Sequence, residues 1–216
     1  MSDTAAELRH AIVSAARHME RSGHSPGTSG NVSTRHGDGF FITPTGLPPA
    51  DLTAADVVVL DLEGNAGAGQ RAPSSEWPMH AALYAARPKA GAVVHCHSRF
   101  ATILACAHRS IPSLHYMVAA TGGFDVPCAP YATFGTRALS DRVLETIGHR
   151  NGCLLANHGQ IALGKDLSAA VRTAEEIERL AETHWGALAI GGPVLLTDEE
   201  MKDVVERFLG GYGQPG

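Results

Sequence analysis

The sequence predicts an α/β protein whose helices pack against one sheet that is mostly antiparallel. Three observations carry this. Segments with apolar residues at helical spacing alternate with short segments of strand character, joined by short connectors. No repeat, low-complexity tract or long linker interrupts the alternation. With 216 residues, 44% hydrophobic and 18% charged, the chain has enough apolar content for one core, so residues 1–216 read as a single domain.

The elements follow in order. TAAELRHAIVSAARHMERSG, residues 4–23, has helical periodicity and stops at Gly23. HSPGTSGN, 24–31, is a Gly/Ser-rich turn leading into VSTR and GFFITP, two strands joined across HGDG. ADVVVLDL reads as a further strand and EWPMHAALYAARP as a short helix ended by Pro88. GAVVHCHS is a central strand, followed by the helical RFATILACAH. VPCAPYATFGT reads as loop, RALSDRVLETIG as an amphipathic helix, and GCLLANHGQIALG as two short strands around a bend at His158 and Gly159. The long helix DLSAAVRTAEEIERLAETHWGALAI carries charges, EEIER, that read as a solvated or intersubunit face. A last helix opens at TDEE with a capping box from Thr197 to Glu200.

Composition excludes several partners. Cys96, Cys106, Cys128 and Cys153 form no CxxC pair, and MSDTAAELRH lacks the basic and apolar regions of a signal peptide, so a reducing cytoplasm is expected. No apolar run approaches the roughly 20 residues that span a bilayer, which leaves no role for a membrane. A formal net charge of -5 argues against a nucleic acid partner. Any phosphate must be held locally.

The chemistry concentrates at a strand end. Side chains alternate along a strand, so His95 and His97 point to one face and Cys96 to the other, where it reads as a small core residue. A lone histidine at such a position is more often a hydrogen-bonded strand end than a ligand, and the HxH spacing reverses that preference. His158 lies at another strand end and Glu76 at the start of a helix. Three imidazoles and a carboxylate suit zinc, which takes nitrogen and oxygen ligands. For phosphate, Thr28, Ser29, Gly30 and Asn31 offer small side chains and backbone N–H groups, and Thr45 and Gly46 a second turn. Ser74 and Ser75 stand at a helix N-terminus, where hydroxyls and free amides make an anion site. His80, four residues after Glu76, and His115 read as packing or hydrogen-bonded support.

Seven segments, GTSGNVS, ITPTG, SSEWPMH, VVHCHS, SIPSLHYMVAATGG, PCAPYATFGT and LLANHG, resemble those of the class II aldolase/adducin family in order and spacing, nearest to its L-fuculose-1-phosphate aldolase branch. The resemblance implies a three-layer α/β/α fold and one zinc per chain, held by His95, His97 and His158 with Glu76 as fourth ligand. It implies cleavage of a ketose 1-phosphate, L-fuculose 1-phosphate, to dihydroxyacetone phosphate and L-lactaldehyde. Glu76 then also serves as general acid/base at C3, and Tyr116, supplied by a neighbouring subunit of a cyclic homotetramer, at the aldehyde oxygen. Tyr212 corresponds to a tyrosine that closes over the site. Sister activities share this apparatus: 5-deoxyribulose- and methylthioribulose-1-phosphate aldolases, a methylthioribulose-1-phosphate dehydratase and a ribulose-5-phosphate 4-epimerase. Adducin-like members use the fold for assembly alone, and the full set of histidines with Glu76 and Tyr116 argues against that role.

Overall fold

Seven strands, β1 (Asn31–His36), β2 (Gly39–Ile42), β3 (Val58–Leu60), β4 (Ala92–Cys96), β5 (Cys128–Ala129), β6 (Gly152–Leu155) and β7 (Gly159–Gly164), form one sheet in the order β3-β2-β1-β4-β7-β6-β5. This computed structural model describes residues 4–209. Every neighbouring pair is antiparallel except β5 with β6.

The two faces of β4 explain the layers. Ala92, Val94 and Cys96 join an apolar cluster with helices α1 (Ala5–Arg21), α3 (Arg99–Cys106) and α5 (Leu167–Ala189). Val93, between them in sequence, joins the other cluster, with α2 (Trp77–Ala86) and α4 (Arg137–Ile147). The sheet therefore lies between two helical layers, the expected α/β/α arrangement. Each fully buried aliphatic side chain in these layers contributes about 1.5–3 kcal/mol.

Helix ends follow their sequence signals. Thr4 and Glu7 form a capping box at α1. Thr197 and Glu200 form the expected one at α6 (Asp198–Leu209), with Glu200 N–H donating to Thr197 Oγ1 and Thr197 N–H to Glu200 Oε2. Three local differences appear. The segment after α3 contains a 3-10 helix, Tyr116–Thr121, ended by Gly122 at φ 86. The loop around Cys128 contributes the two-residue β5. The EEIER charges are only partly solvated: Arg179 is exposed, but Glu176 beside it is buried, and Glu178 accepts hydrogen bonds from Ser98 Oγ and from the N–H groups of Phe100 and Ala101. Ser98 makes no cap bond of its own with its side chain, so a carboxylate from α5 caps α3 instead. Tyr212 lies outside the described residues. Among those residues, no helix is long and apolar enough to cross a membrane.

Candidate active site

Sheet register brings the predicted ligands together. Asn31 faces His95 across β1 and β4, and His95 faces Ile161 across β4 and β7. His97 follows one residue beyond the end of β4, and His158 closes the turn between β6 and β7 just after Asn157, held at φ 54. Glu76 is the N-cap residue of α2. One ring nitrogen from each of His95, His97 and His158 lies within 4.8 Å of the others. The Nε2 atoms of His95 and His97 are 3.0 Å apart, and Glu76 sets Oε2 3.0 Å from His95 Nε2 and Oε1 3.3 Å from His158 Nε2.

The electrostatics match a cation site. His95 Nδ1 lies 2.8 Å from the Gln160 carbonyl, which can only accept; Nδ1 therefore carries the proton, and in the neutral ring the Nε2 lone pair faces the cluster. Burial, followed by the neighbouring His95, lowers His97 to about 3 and His158 to about 4, so both rings are neutral at pH 7 and have a lone pair to offer. Burial pushes the Glu76 carboxyl up, but the His95 and His158 rings and the Asn31 amide outweigh it and hold the group below the usual carboxylate range. Glu76 Oε1 is buried without a hydrogen bond. Three converging imidazoles and an orphaned carboxylate oxygen fit a divalent ion, whose nitrogen ligands at about 2.0–2.1 Å require this kind of convergence.

A cleft of about 340 Å³ opens beside the histidines. Thr28, Ser29, Gly30, Asn31, Thr45, Gly46, Ser74, Ser75, Glu76, His97 and His158 all line it, as the sequence predicts. Among the described residues, the hydroxyls of Thr28, Thr45 and Ser75 and the N–H groups of Gly46 and Ser75 make no hydrogen bond, so these cleft-lining residues keep donors available. The other members build its walls. Ser29 Oγ donates to the Pro26 carbonyl. Gly30 is required by packing, since a Cβ there would lie 1.6 Å from Ser25 Oγ.

The expected run of free amides at the start of α2 is not found. Glu76 N–H donates to Ser74 Oγ, Trp77 N–H to the Ser74 carbonyl and Met79 N–H to the Glu76 carbonyl, while Pro78 has none. Ser75 supplies what remains. Among the lining residues that the sequence reading did not single out, Tyr131 and Phe134, 59% and 63% exposed, are the large aromatics. Their only signal was two aromatics in a loop with no periodicity to bury them.

Tyr116 does not line this cleft. It is 43% exposed on the 3-10 helix, stacked on His115, whose Nδ1 accepts from Met117 N–H. Met117 and Ala120 of that helix line a second cavity, of about 1070 Å³, at the far end of β7 near Gly164 and Lys165.

Gly159 is a demanding position. A Cβ there would lie 2.5 Å from the Cys96 carbonyl oxygen and 2.9 Å from His97 Cδ2. Gly159→Ala is therefore expected to displace the His97 ring, weakening metal binding by about 10–100-fold, as loss of outer support around a ligand does, at a stability cost of about 1–3 kcal/mol. Calorimetric metal titration checks this, and unchanged affinity would exclude the displacement.

His80 sits one turn after Glu76 on α2 and is 0% exposed. Burial, then the nearby His95, lowers it to about 3 from an ordinary 6.5. Between those values the unfolded chain binds a proton that the folded chain refuses, so the stability present above about pH 6.5 is lost as pH falls toward 3. The slope from this group is about 1.4 kcal/mol per pH unit. Urea midpoints of metal-free protein at pH 7, 6 and 5 should fall accordingly, and His80→Leu should flatten the slope.

The chain matches the model of the class II aldolase and adducin N-terminal domain over residues 10–185. A protein of Rhodospirillum rubrum named 5-methylthioribulose-1-phosphate/5-deoxyribulose-1-phosphate aldolase is 50% identical over 201 residues, covering 93% of this chain and 90% of that protein. The L-fuculose phosphate aldolase of Escherichia coli K12 is 46% identical over 203 residues, 94% of each chain. A solved structure of an L-fuculose 1-phosphate aldolase superposes with a TM-score of 0.91 at 36% identity, covering 97% of this chain and 98% of that one.

Proposed function

Since the chain belongs to the class II aldolase and adducin family, whose metal-dependent aldolases it resembles throughout, we propose that its cleft cleaves a ketose 1-phosphate to dihydroxyacetone phosphate and an aldehyde. The observation that carries this is the meeting of His95, His97, His158 and the orphaned Glu76 Oε1 beside a cleft edged with unpaired hydroxyls. The three histidines would hold zinc, with Glu76 as fourth ligand before substrate arrives, and the ion when bound supplies Lewis acidity against negative charge developing on substrate oxygens.

The remaining work belongs to side chains. Thr28, Thr45 and Ser75 donate to the phosphate through their hydroxyls and Gly46 and Ser75 through N–H, in a cradle shaped by Ser29, Gly30, Asn31 and Ser74. As the C3–C4 bond breaks, its electron pair stays on C3 and the C4 hydroxyl loses its proton to become the aldehyde. Glu76, ionised in the resting site, takes up a proton from solvent and delivers it to C3, while the Tyr116 phenol passes the proton of the C4 oxygen on to solvent, so both groups end as they began. Because Tyr116 lies away from the cleft of its own chain, it serves a neighbour in a cyclic homotetramer. Residues 1–216 act as one domain in the cytoplasm, where free thiols persist.

L-fuculose 1-phosphate, yielding L-lactaldehyde, is the proposed substrate. The exposed aromatics Tyr131 and Phe134 and the 50% identical relative favour a second reading, in which the aldehyde carries a less polar tail, as from 5-deoxyribulose or methylthioribulose 1-phosphate. An assay of the purified protein against these three esters, with detection of dihydroxyacetone phosphate, tests both. Release from none of them would overturn the proposal in favour of epimerase or dehydratase chemistry, which frees no dihydroxyacetone phosphate.

The shared site has its own test. In a ring, every interface is head-to-tail and equivalent. Mixed and reassembled Glu76→Ala and Tyr116→Phe chains should form intact sites at about a quarter of interfaces, so activity should rise well above either variant alone. Flat activity after verified subunit exchange would place both groups in one chain.

A further inference from the structure

Asn31 and Ser33 are two residues apart on β1 and so face one side, while Glu76, His80 and Tyr84 are spaced four apart along α2 and face β1. Their side chains interleave. Tyr84 Oη lies 2.8 Å from Ser33 Oγ, Ser33 Oγ 2.7 Å from His80 Nδ1, His80 Nε2 2.6 Å from Asn31 Oδ1, and Asn31 Nδ2 3.0 Å from Glu76 Oε2. All five are at most 5% exposed.

The chain of bonds has one direction, fixed from its charged end. An ionised carboxylate only accepts, so the Asn31 NH₂ must face Glu76 and its Oδ1 must face His80. That oxygen only accepts, so His80 must carry its proton on Nε2. The neutral ring then offers a lone pair at Nδ1, which takes the Ser33 hydroxyl proton, and Ser33 in turn accepts from Tyr84. The two ends of a carboxamide are nearly the same in shape. Packing alone therefore does not decide which end of Asn31 meets Glu76; the acceptor on one side and the donor on the other decide it together.

We propose that His80 is a positioning residue for the reaction: by donating from Nε2 to Asn31 Oδ1 it holds the Asn31 amide with N–H toward Glu76 Oε2, and so keeps Glu76 Oε1 turned toward His158 and the cleft. This rests on the reading of Glu76 as the group that moves the C3 proton. A carboxamide does not relay protons at neutral pH, so the chain is no proton wire and His80 acts through orientation alone. Without it the amide keeps only its bond to Glu76 Oε2, loses the second bond that fixes its plane, and with that slack loosens the rotamer of Glu76.

A double-mutant cycle separates this from mere filling of space. His80→Leu keeps much of the volume and removes the donor, whereas His80→Gln restores an N–H near the Nε2 position. With zinc content held equal, His80→Leu should lower kcat by about 10–100-fold with little change in KM, and His80→Gln should recover most of it. In an Asn31→Ala background, His80→Leu should do nothing further. Equal losses in the Leu and Gln variants, or multiplying losses in the double variant, would overturn the proposal. A readout in the wild-type zinc protein needs neither variant to fold: nitrogen-15 NMR of the histidine rings should show His80 protonated at Nε2 only, and asparagine-selective labelling should show the Asn31 NH₂ protected from exchange. A proton on Nδ1 would overturn the arrangement. If the wild-type chain releases dihydroxyacetone phosphate from no ester, the reading of the reaction fails, and with it the positioning role, while the NMR still decides whether the bonds exist.

Discussion

Glu76→Gln should leave the protein folded and metal-loaded but nearly inactive, with kcat lowered by about 10²–10⁴-fold, the usual contribution of a positioned general acid or base. The amide fills the same space and its oxygen still accepts from Asn31 Nδ2, 3.0 Å away in the native chain. What it cannot do is take up and return a proton. The sharper readout is exchange of the C3 proton of dihydroxyacetone phosphate with solvent, which needs no aldehyde and so isolates the Glu76 step. Exchange should stop. Exchange at the wild-type rate would identify another group as the base, and a loss much below a hundredfold in turnover would also count against Glu76.

His97→Ala should lose most of the metal and, with it, activity by about 10³-fold or more, since both charge stabilisation and substrate alignment depend on the ion. The fold should persist, because the ligands sit on elements held by the two apolar layers and not by the metal. Heat makes the distinction. An ion at a hundred times its Kd stabilises the wild-type chain by about 2.7 kcal/mol, which for a chain of this size raises Tm by roughly 5–10 °C. His97→Ala should lack this rise while its metal-free Tm stays within a few degrees of the metal-free wild type. Full activity in metal-stripped wild-type protein would sink the metal reading altogether.

The meeting of these histidines and Glu76 was legible because each signal is local. His95 and His97 share a strand face by the period of two, and His158 and Glu76 mark the ends of elements that glycine, proline and periodicity delimit. Most helices and strands were readable for the same reason. What stayed hidden depends on partners far away in sequence. The cap that Glu178 gives α3 joins residues 80 apart, so EEIER looked like a surface run. Nothing in HSPGTSGN tells that Asn31 is locked between Glu76 and His80, for that needs the packing of α2 on β1. At Ser74 and Ser75 the rule about helix N-termini was sound in general, and the local backbone satisfied the donors first. Two-residue β5 and the 3-10 helix were too short for any period to show.

The register of β4 has a consequence for inheritance. The strand is gripped antiparallel on both sides, by β1 through Asn31 and His95 and by β7 through His95 and Ile161. A single-codon insertion between Ala92 and His95 would exchange its faces, burying an imidazole among α1, α3 and α5 and presenting the Cys96 thiol to the metal. Lineages of this chain can therefore change length in connections such as 61–70 but hardly within 92–97. Along that segment a one-residue insertion or deletion is therefore expected to break up the histidine cluster, whereas a single substitution leaves the register of the others intact.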